Sequence, residues 1–179
     1  MVQRSDNCIS LRRKDGGILA EMTVQAGLER IWRVLTSFEE MEAHLSGLKR
    51  SRILKRNGNH QLVEQTATVG ISLLPLTFKL VMEVVEERPF LYFNQRLGSF
   101  TSFSGHWWVD PGSGGNGTRI QYFLEASLSR GWKGRPFEHH LRGMIRQNLQ
   151  ELALWIDNGG IEGLTVESAE IAEDGNCQN

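Results

Sequence analysis

The chain has 179 residues, 40% of them hydrophobic and 23% charged, with 20 Lys and Arg against 21 Asp and Glu for a formal charge of −1. That length bounds the answer to one domain with a sizeable core, and the absence of a basic excess argues against a nucleic-acid binder. No apolar run approaches the roughly 20 residues that span a bilayer. The opening segment MVQRSDNCISLRRKDGG lacks the apolar stretch of a secretory leader, so a cytoplasmic protein is expected.

Residues 1–15 are polar and mixed in charge, and residues 160–179 carry five acidic residues and no basic ones. Both ends read as disordered tails flanking a single domain over 16–159. Cys8 and Cys177 lie in those tails, at a spacing that matches no zinc or redox motif.

The first element is a short strand, Ile18 to Val24. After Gly27 the period changes, with Leu28, Ile31, Trp32 and Leu35 at helical spacing and a second helical piece from Glu39 to Leu45. From Leu48 onward alternation of period two runs for about eighty residues. Phe78, Leu80, Met82 and Val84 share one face of such a run, and Ile120, Tyr122, Leu124, Ala126 and Leu128 share one face of another. Turn signals at Asn57-Gly58-Asn59, Leu74-Pro75, Arg88-Pro89, Gly98 and the glycine stretch of 112–117 divide this region into six strands, making seven in all.

The chain then gives a long amphipathic helix, Pro136 to Asn158, closed by Gly159-Gly160. Phe137, Leu141, Met144, Ile145, Leu149, Leu152 and Ile156 form its apolar stripe, with Arg142, Arg146 and Gln150 off it. Trp32 and Trp155 fall on or beside helical stripes and read as core.

Gly112-x-Gly114-x-x-Gly117 has the spacing of a dinucleotide-binding fingerprint. That fingerprint needs a strand before the glycines and a helix after them. Here TRIQYFLE, another strand, follows, so the glycines read as a hairpin turn.

This order of elements resembles the START/Bet v 1-like (SRPBCC) helix-grip superfamily, in its polyketide cyclase/dehydrase and coenzyme Q-binding (COQ10-like) branch. The residues that carry the likeness are LERIWRVLTSFEEMEAHLSGLKRSRIL and EERPFLYFNQRLGSFTSFSGHWWVDPGSGGNGTRIQYFLE. Pro89, Gly105, Trp107, Pro111, Gly117 and Thr118 stand at the typical places in the second stretch. The resemblance implies an α+β fold in which a curved seven-stranded antiparallel sheet wraps the C-terminal helix, with two short helices after the first strand. It also implies an apolar cavity between sheet and helix that holds lipids, sterols, prenylquinones, polyketides or plant hormones.

Fold does not fix function, so the polar residues are weighed one by one. If Trp107 faces inward, His106 faces outward as a surface histidine, and His139 and His140 sit in the first turn of the last helix, where solvation is the simplest reading. Gln65, Gln95 and Asn148 share faces with apolar residues. They either orient a ligand's oxygens or satisfy backbone groups near strand ends. Arg96 falls on the opposite phase from Gln95. Gly143 either leaves room for a ligand or permits close packing.

Lys49, Arg50, Arg52, Lys55 and Arg56 crowd eight residues. They either touch anionic lipid headgroups or guard a sheet edge against pairing.

The leading expectation is a non-catalytic carrier of a lipid or prenylquinone-like molecule, with no metal, cofactor or catalytic residue. Its cavity wall is expected from Gln65, Phe78, Leu80, Met82, Phe93, Gln95, Trp107, Tyr122, Leu141, Met144, Ile145 and Asn148. The alternatives are an aromatase/cyclase-type enzyme and a protein-interaction module in membrane-complex assembly.

Overall fold

The computed structural model describes residues 9–71, 74–112, 117–128 and 135–158. Cys8, Cys177, Gly114, the Gly159-Gly160 pair and the outer tail residues lie outside the described residues. The elements in chain order are β1 (Ser10–Lys14), β2 (Gly17–Val24), α1 (Leu28–Thr36), α2 (Met41–His44), β3 (Leu48–Asn57), β4 (His60–Ile71), β5 (Leu74–Glu87), β6 (Phe90–Gly98), β7 (Ser102–Val109), β8 (Thr118–Ser127) and α3 (Arg135–Asp157).

All strands join one antiparallel sheet in the order β1-β2-β8-β7-β6-β5-β4-β3. From β3 to β8 each strand lies beside its neighbour in sequence. β2 instead pairs with the distant β8, matching Ile18 with Leu124 and Val24 with Thr118. β7 and β8 pair Val109 with Ile120, so the glycine stretch joins two strands and opens no helix. This is the helix-grip arrangement expected from the sequence, with one more strand.

That strand is β1, where a tail was expected. Arg12, Arg13 and Lys14 give it no apolar face of its own, and its stability comes from partners. Its backbone pairs with β2, Leu11 opposite Ala20. From the other side α3 holds it: Arg142 Nη2 donates to the Leu11 carbonyl at 3.2 Å and Arg146 Nη1 to the Ile9 carbonyl at 2.9 Å. Arg13 and Glu138 add an ion pair. The two arginines that the helical pattern leaves off the apolar stripe thus anchor the edge of the sheet.

Three bulges bend the sheet. Lys49 and Leu54 are extra residues in β3 against β4, and Arg96 is extra in β6 against β5. Each adds a residue to one strand only, which kinks it and deepens the twist. The concave side that results carries the inward rows, including Ala20, Met22, Val63, Met82, Val84, Leu91, Val109, Ile120 and Leu124, all buried.

α3 lies across that side, burying Leu141, Ile145, Leu149, Leu152, Ala153, Trp155 and Ile156. Burial of each large side chain contributes about 1.5–3 kcal/mol before ordering costs are subtracted. Asp157 accepts a hydrogen bond from the Gln25 backbone N–H at 2.8 Å, tying the far end of α3 to the end of β2. Among the described residues no helix is long and apolar enough to cross a membrane.

Candidate functional site: an aromatic cavity under the last helix

Side chains do not fill all of the space between the sheet and α3. A cavity of about 170 Å³ remains, smaller than the roughly 300–1,000 Å³ of ordinary ligand pockets. Met41, Met82 and Met144 stand in its wall. Their unbranched, polarizable side chains let such a wall re-pack around a guest.

Ten of the expected wall residues line this space: Gln65, Phe78, Leu80, Met82, Phe93, Trp107, Tyr122, Met144, Ile145 and Asn148. Gln95 and Leu141 are not among the lining residues. Gln95 sits beside the Arg96 bulge, and its Nε2 donates to the Phe100 carbonyl at 2.8 Å. Its amide therefore braces the turn between β6 and β7, while Oε1 is buried without a partner among the described residues. Leu141 is buried in the core without reaching the cavity.

The wall also has members outside those expected. Leu35 comes from α1 and Phe38 from the turn after it, Met41 from α2 and Leu45 from its C-terminal cap, and Gly47 and Leu48 from the entry to β3. Their helical spacing was legible, but it marks a core face and a cavity face alike. Phe100 and Phe103 come from the turn and start of β7. Phe100 lies between strands, where alternation gives no phase.

Six rings run unbroken around the wall. Phe78 packs on Phe100 with centroids 5.0 Å apart, Phe100 on Phe103 at 5.1 Å and Phe103 on Phe93 at 5.7 Å. Phe93 then stacks on Tyr122 at 5.8 Å, and Tyr122 meets Trp107 at 4.4 Å. Gly105 makes the middle of this chain possible. It pairs with Phe93 across β6 and β7, and the Phe93 ring occupies the place where a Cβ would stand.

Polar groups at the cavity are few. Gln65 Nε2 donates to Ser51 Oγ at 3.1 Å. The Tyr122 hydroxyl and the Asn148 amide have no hydrogen-bond partner among the described residues. Burial pushes the Tyr122 phenol above its ordinary pKa, so it is a protonated donor at neutral pH. The described lining includes no Asp, Glu, His, Lys or Arg, and no group of three or more metal-ligating side chains gathers among the described residues.

The remaining polar candidates lie away from the cavity. His106 is on the outer face as expected, yet it is packed rather than solvated, with Phe90, Tyr92 and Phe123 rings 5.5 to 6.0 Å from it. Burial, and then the charge of Lys14, push its pKa down. His139 is exposed and His140 half-buried at the start of α3. Trp32 and Trp155 are core residues, Trp155 stacking on His44 at 4.1 Å. Gly143 is a correction to both expected roles: a Cβ there would meet nothing within 4 Å, so it neither faces a ligand nor permits close packing.

The corner that joins α2 to β3 is clasped to α3 beside the cavity. The Ser46 N–H donates to Glu151 Oε2 at 2.9 Å and its hydroxyl to Oε1 at 2.6 Å, while Gln147 Nε2 donates to Ser46 Oγ at 2.8 Å. At the sheet edge, Arg52 pairs with Glu64 at 2.6 Å and Lys49 reaches the Ser46 carbonyl at 3.4 Å. Arg50, Lys55 and Arg56 are exposed without a carboxylate partner among the described residues.

Comparison with solved structures gives the same architecture. A STAR-related lipid transfer protein from Xanthomonas axonopodis superposes with a TM-score of 0.67 at 13% identity, over 87% of this chain and 96% of that one. A protein of Thermus thermophilus gives 0.66 at 19% identity, over 82% and 98%. An aromatase/cyclase from Streptomyces sp. R1128 gives 0.64 at 14% identity, over 88% and 100%. No curated protein sequence matches the chain. The profile of a family described as polyketide cyclase / dehydrase and lipid transport matches residues 24–153, the stretch from the end of β2 through most of α3, and the chain belongs to that family.

Proposed function

We propose that this protein binds a hydrophobic small molecule between its sheet and α3 and carries or chaperones it, with a lipid or a prenylquinone as the natural class of cargo. The observation that carries this reading is the wall itself: rings, thioethers and aliphatic side chains, with three polar side chains for orientation. In this reading the protein works in the cytoplasm and touches membranes peripherally. Arg50, Lys55 and Arg56, three exposed cations of edge strand β3 with neither a carboxylate nor a carbonyl partner among the described residues, favour that contact, each worth about 1 kcal/mol near an anionic surface. The same charges on an edge strand also discourage pairing between copies.

An aromatase/cyclase activity is the second reading. One feature favours it, the unpartnered Tyr122 hydroxyl as a proton donor. Burial raises its pKa, which makes it a weak acid for that role and leaves no phenolate to serve as base at neutral pH.

Native mass spectrometry of gently purified protein, followed by solvent extraction, tests the carrier. A defined extra mass that is lost in Met144→Arg supports it. A protein that stays empty when offered quinones and lipids refutes it. Sedimentation with anionic vesicles tests the surface contact: Lys55→Glu/Arg56→Glu is expected to leave the vesicle pellet, and unchanged sedimentation rejects that role for β3.

A further inference from the structure

We infer that edge strand β3 is a docking site for the acidic segment of this same chain, residues 160–179, whose carboxylates meet Arg50, Lys55 and Arg56. The docking stands on charge, composition and reach. Its consequence, that the segment competes with an anionic membrane for the same cations, rests on the membrane contact proposed above.

The first observation is what β3 leaves unsatisfied. It is the last strand of the sheet order, with β4 as its one strand neighbour among the described residues. Glu64 engages Arg52, and the Ser46 carbonyl engages Lys49. Arg50, Lys55 and Arg56 remain exposed without a partner among the described residues. Elsewhere Arg88 and Arg96 are engaged by carboxylates, and Arg142 and Arg146 by backbone carbonyls. Leu54, the bulged residue beside Lys55, is 44% exposed. A partner suited to this edge therefore carries negative charge with apolar side chains set among it. The strand already accepts one such charge, since the Ser51 backbone N–H donates to Glu42 Oε2 of α2 at 2.9 Å.

The second is the composition of the segment. GIEGLTVESAEIAEDGNCQN carries five acidic residues, Glu162, Glu167, Glu170, Glu173 and Asp174, and no Lys, Arg or His. Ile161, Leu164, Val166 and Ile171 stand among them. Blocks of like charge repel themselves and serve as interaction tails. β3 offers the opposite sign, with Lys49, Arg50, Arg52, Lys55 and Arg56 crowded into one strand.

The third is position, because α3 delivers the segment beside the entry to β3. Trp155 stacks on His44 with ring centroids 4.1 Å apart, and Glu151 holds Ser46 by two hydrogen bonds, just before β3 opens at Leu48. Lys55 and Arg56 lie about 25 Å farther along the strand, at roughly 3.3 Å per residue. Glu173 and Asp174 follow Asn158 by about sixteen residues, a length whose root-mean-square span in a flexible chain is about 20–24 Å. Glu162 and Glu167 come earlier and match Arg50 at the near end. A segment tethered this close meets its site at an effective concentration in the millimolar range, so that ion pairs individually weak on a solvated surface act together.

Cys177 carries the probe, three residues beyond Asp174. A nitroxide is attached to it in the full-length Cys8→Ser protein, and backbone amide relaxation is read by NMR at about 0.1 M salt. Residues 52–57 are expected to relax severalfold faster than β1, at the opposite edge of the sheet. Lys55→Glu/Arg56→Glu is expected to abolish that difference, its melting temperature reporting that the fold is kept. Raising the salt to about 1 M, where screening shortens to roughly 3 Å, is expected to abolish it too. If the variant fails to fold, the salt series decides alone. Enhancement spread evenly over the surface, or indifferent to the charge reversal and to salt, overturns the inference. Enhancement passed from a spin-labelled copy to an isotope-labelled copy without the nitroxide assigns the contact to a second molecule and overturns it as well. Sedimentation with phosphatidylserine vesicles tests the consequence. Full-length Glu162→Gln/Glu167→Gln/Glu170→Gln/Glu173→Gln/Asp174→Asn is expected to pellet at severalfold less lipid than the native chain, and equal demand removes the competition. Failure of both chains to pellet refutes the membrane contact, while the nitroxide result still decides the docking.

Discussion

Gly105→Ala is the substitution on which the account of the cavity wall stands most directly. A Cβ at this position would lie 2.0 Å from the Phe123 carbonyl oxygen and 2.6 Å from Phe93 Cζ. The ring can swing aside, but the oxygen belongs to β8 backbone and cannot move without breaking the β7–β8 ladder, in which Gly105 is paired with Leu124. Overpacking of this kind costs about 1–3 kcal/mol, and a rigid backbone neighbour places the expectation at the upper end, about 3 kcal/mol. A chain of this size loses about 2–4 °C per kcal/mol, so the melting temperature is expected to fall by roughly 6–12 °C in a circular-dichroism melt. Gly143→Ala is the matched control. Its Cβ meets nothing, and removing a mid-helix glycine is expected to raise stability by about 0.5–1 kcal/mol. A Gly105→Ala protein that melts within about 2 °C of the native one would refute the claim that the β8 backbone leaves no room for a side chain at position 105.

Other expectations follow from groups already placed. Glu151→Ala removes the clasp on Ser46 and is expected to cost about 1 kcal/mol and to speed amide exchange at Ser46 and Leu48 several-fold; unaltered exchange would show that the corner is held by its apolar contacts alone. Burial lowers the pKa of His44, with Glu40 opposing, and burial and then Lys14 lower that of His106. The unfolded chain therefore binds more protons than the native one just below the ordinary histidine pKa of about 6.5. Stability from these two groups is present above that value and is lost as pH falls through their folded values. The urea midpoint is expected to drop more between pH 7.5 and 5.5 in the native protein than in His44→Gln/His106→Gln, and equal drops would count against it.

Much of the architecture was legible because alternation and helical periodicity report burial directly. The inward rows of β5, β7 and β8 were read in the correct phase, which is why Phe78, Trp107 and Tyr122 fall in the wall as expected. The same logic fails wherever a residue's role depends on something other than its own strand. β1 escaped notice because its support comes from Arg142 and Arg146, more than a hundred positions away. Gln95 had the right phase, but the carbonyl of Phe100, brought close by the β6–β7 turn, took its amide. Phe38, Met41 and Leu45 look like any apolar helical stripe until the sheet's curvature decides that they border a void. Two packed surfaces and a gap have the same hydrophobic pattern as two packed surfaces without one.

The sheet order has a consequence for how the chain is made. Strands β3 to β8 form a meander of successive hairpins, whose pairings span short loops and can assemble as the ribosome delivers them. β2 cannot join them early. Its partner is β8, with position 18 opposite position 124, so β2 emerges long before the edge it needs. Until then its apolar row, Ile18, Ala20, Met22 and Val24, lacks the neighbour strand that completes its burial. Long-range closure of this kind is slow relative to hairpin formation, and unpaired strands are where nascent chains associate wrongly. α3 arrives last; it completes the cover of the meander's concave side, to which α1 and α2 also contribute, and its arginines fasten β1 outside β2. The wall that receives the cargo is therefore finished only when the final helix settles onto it.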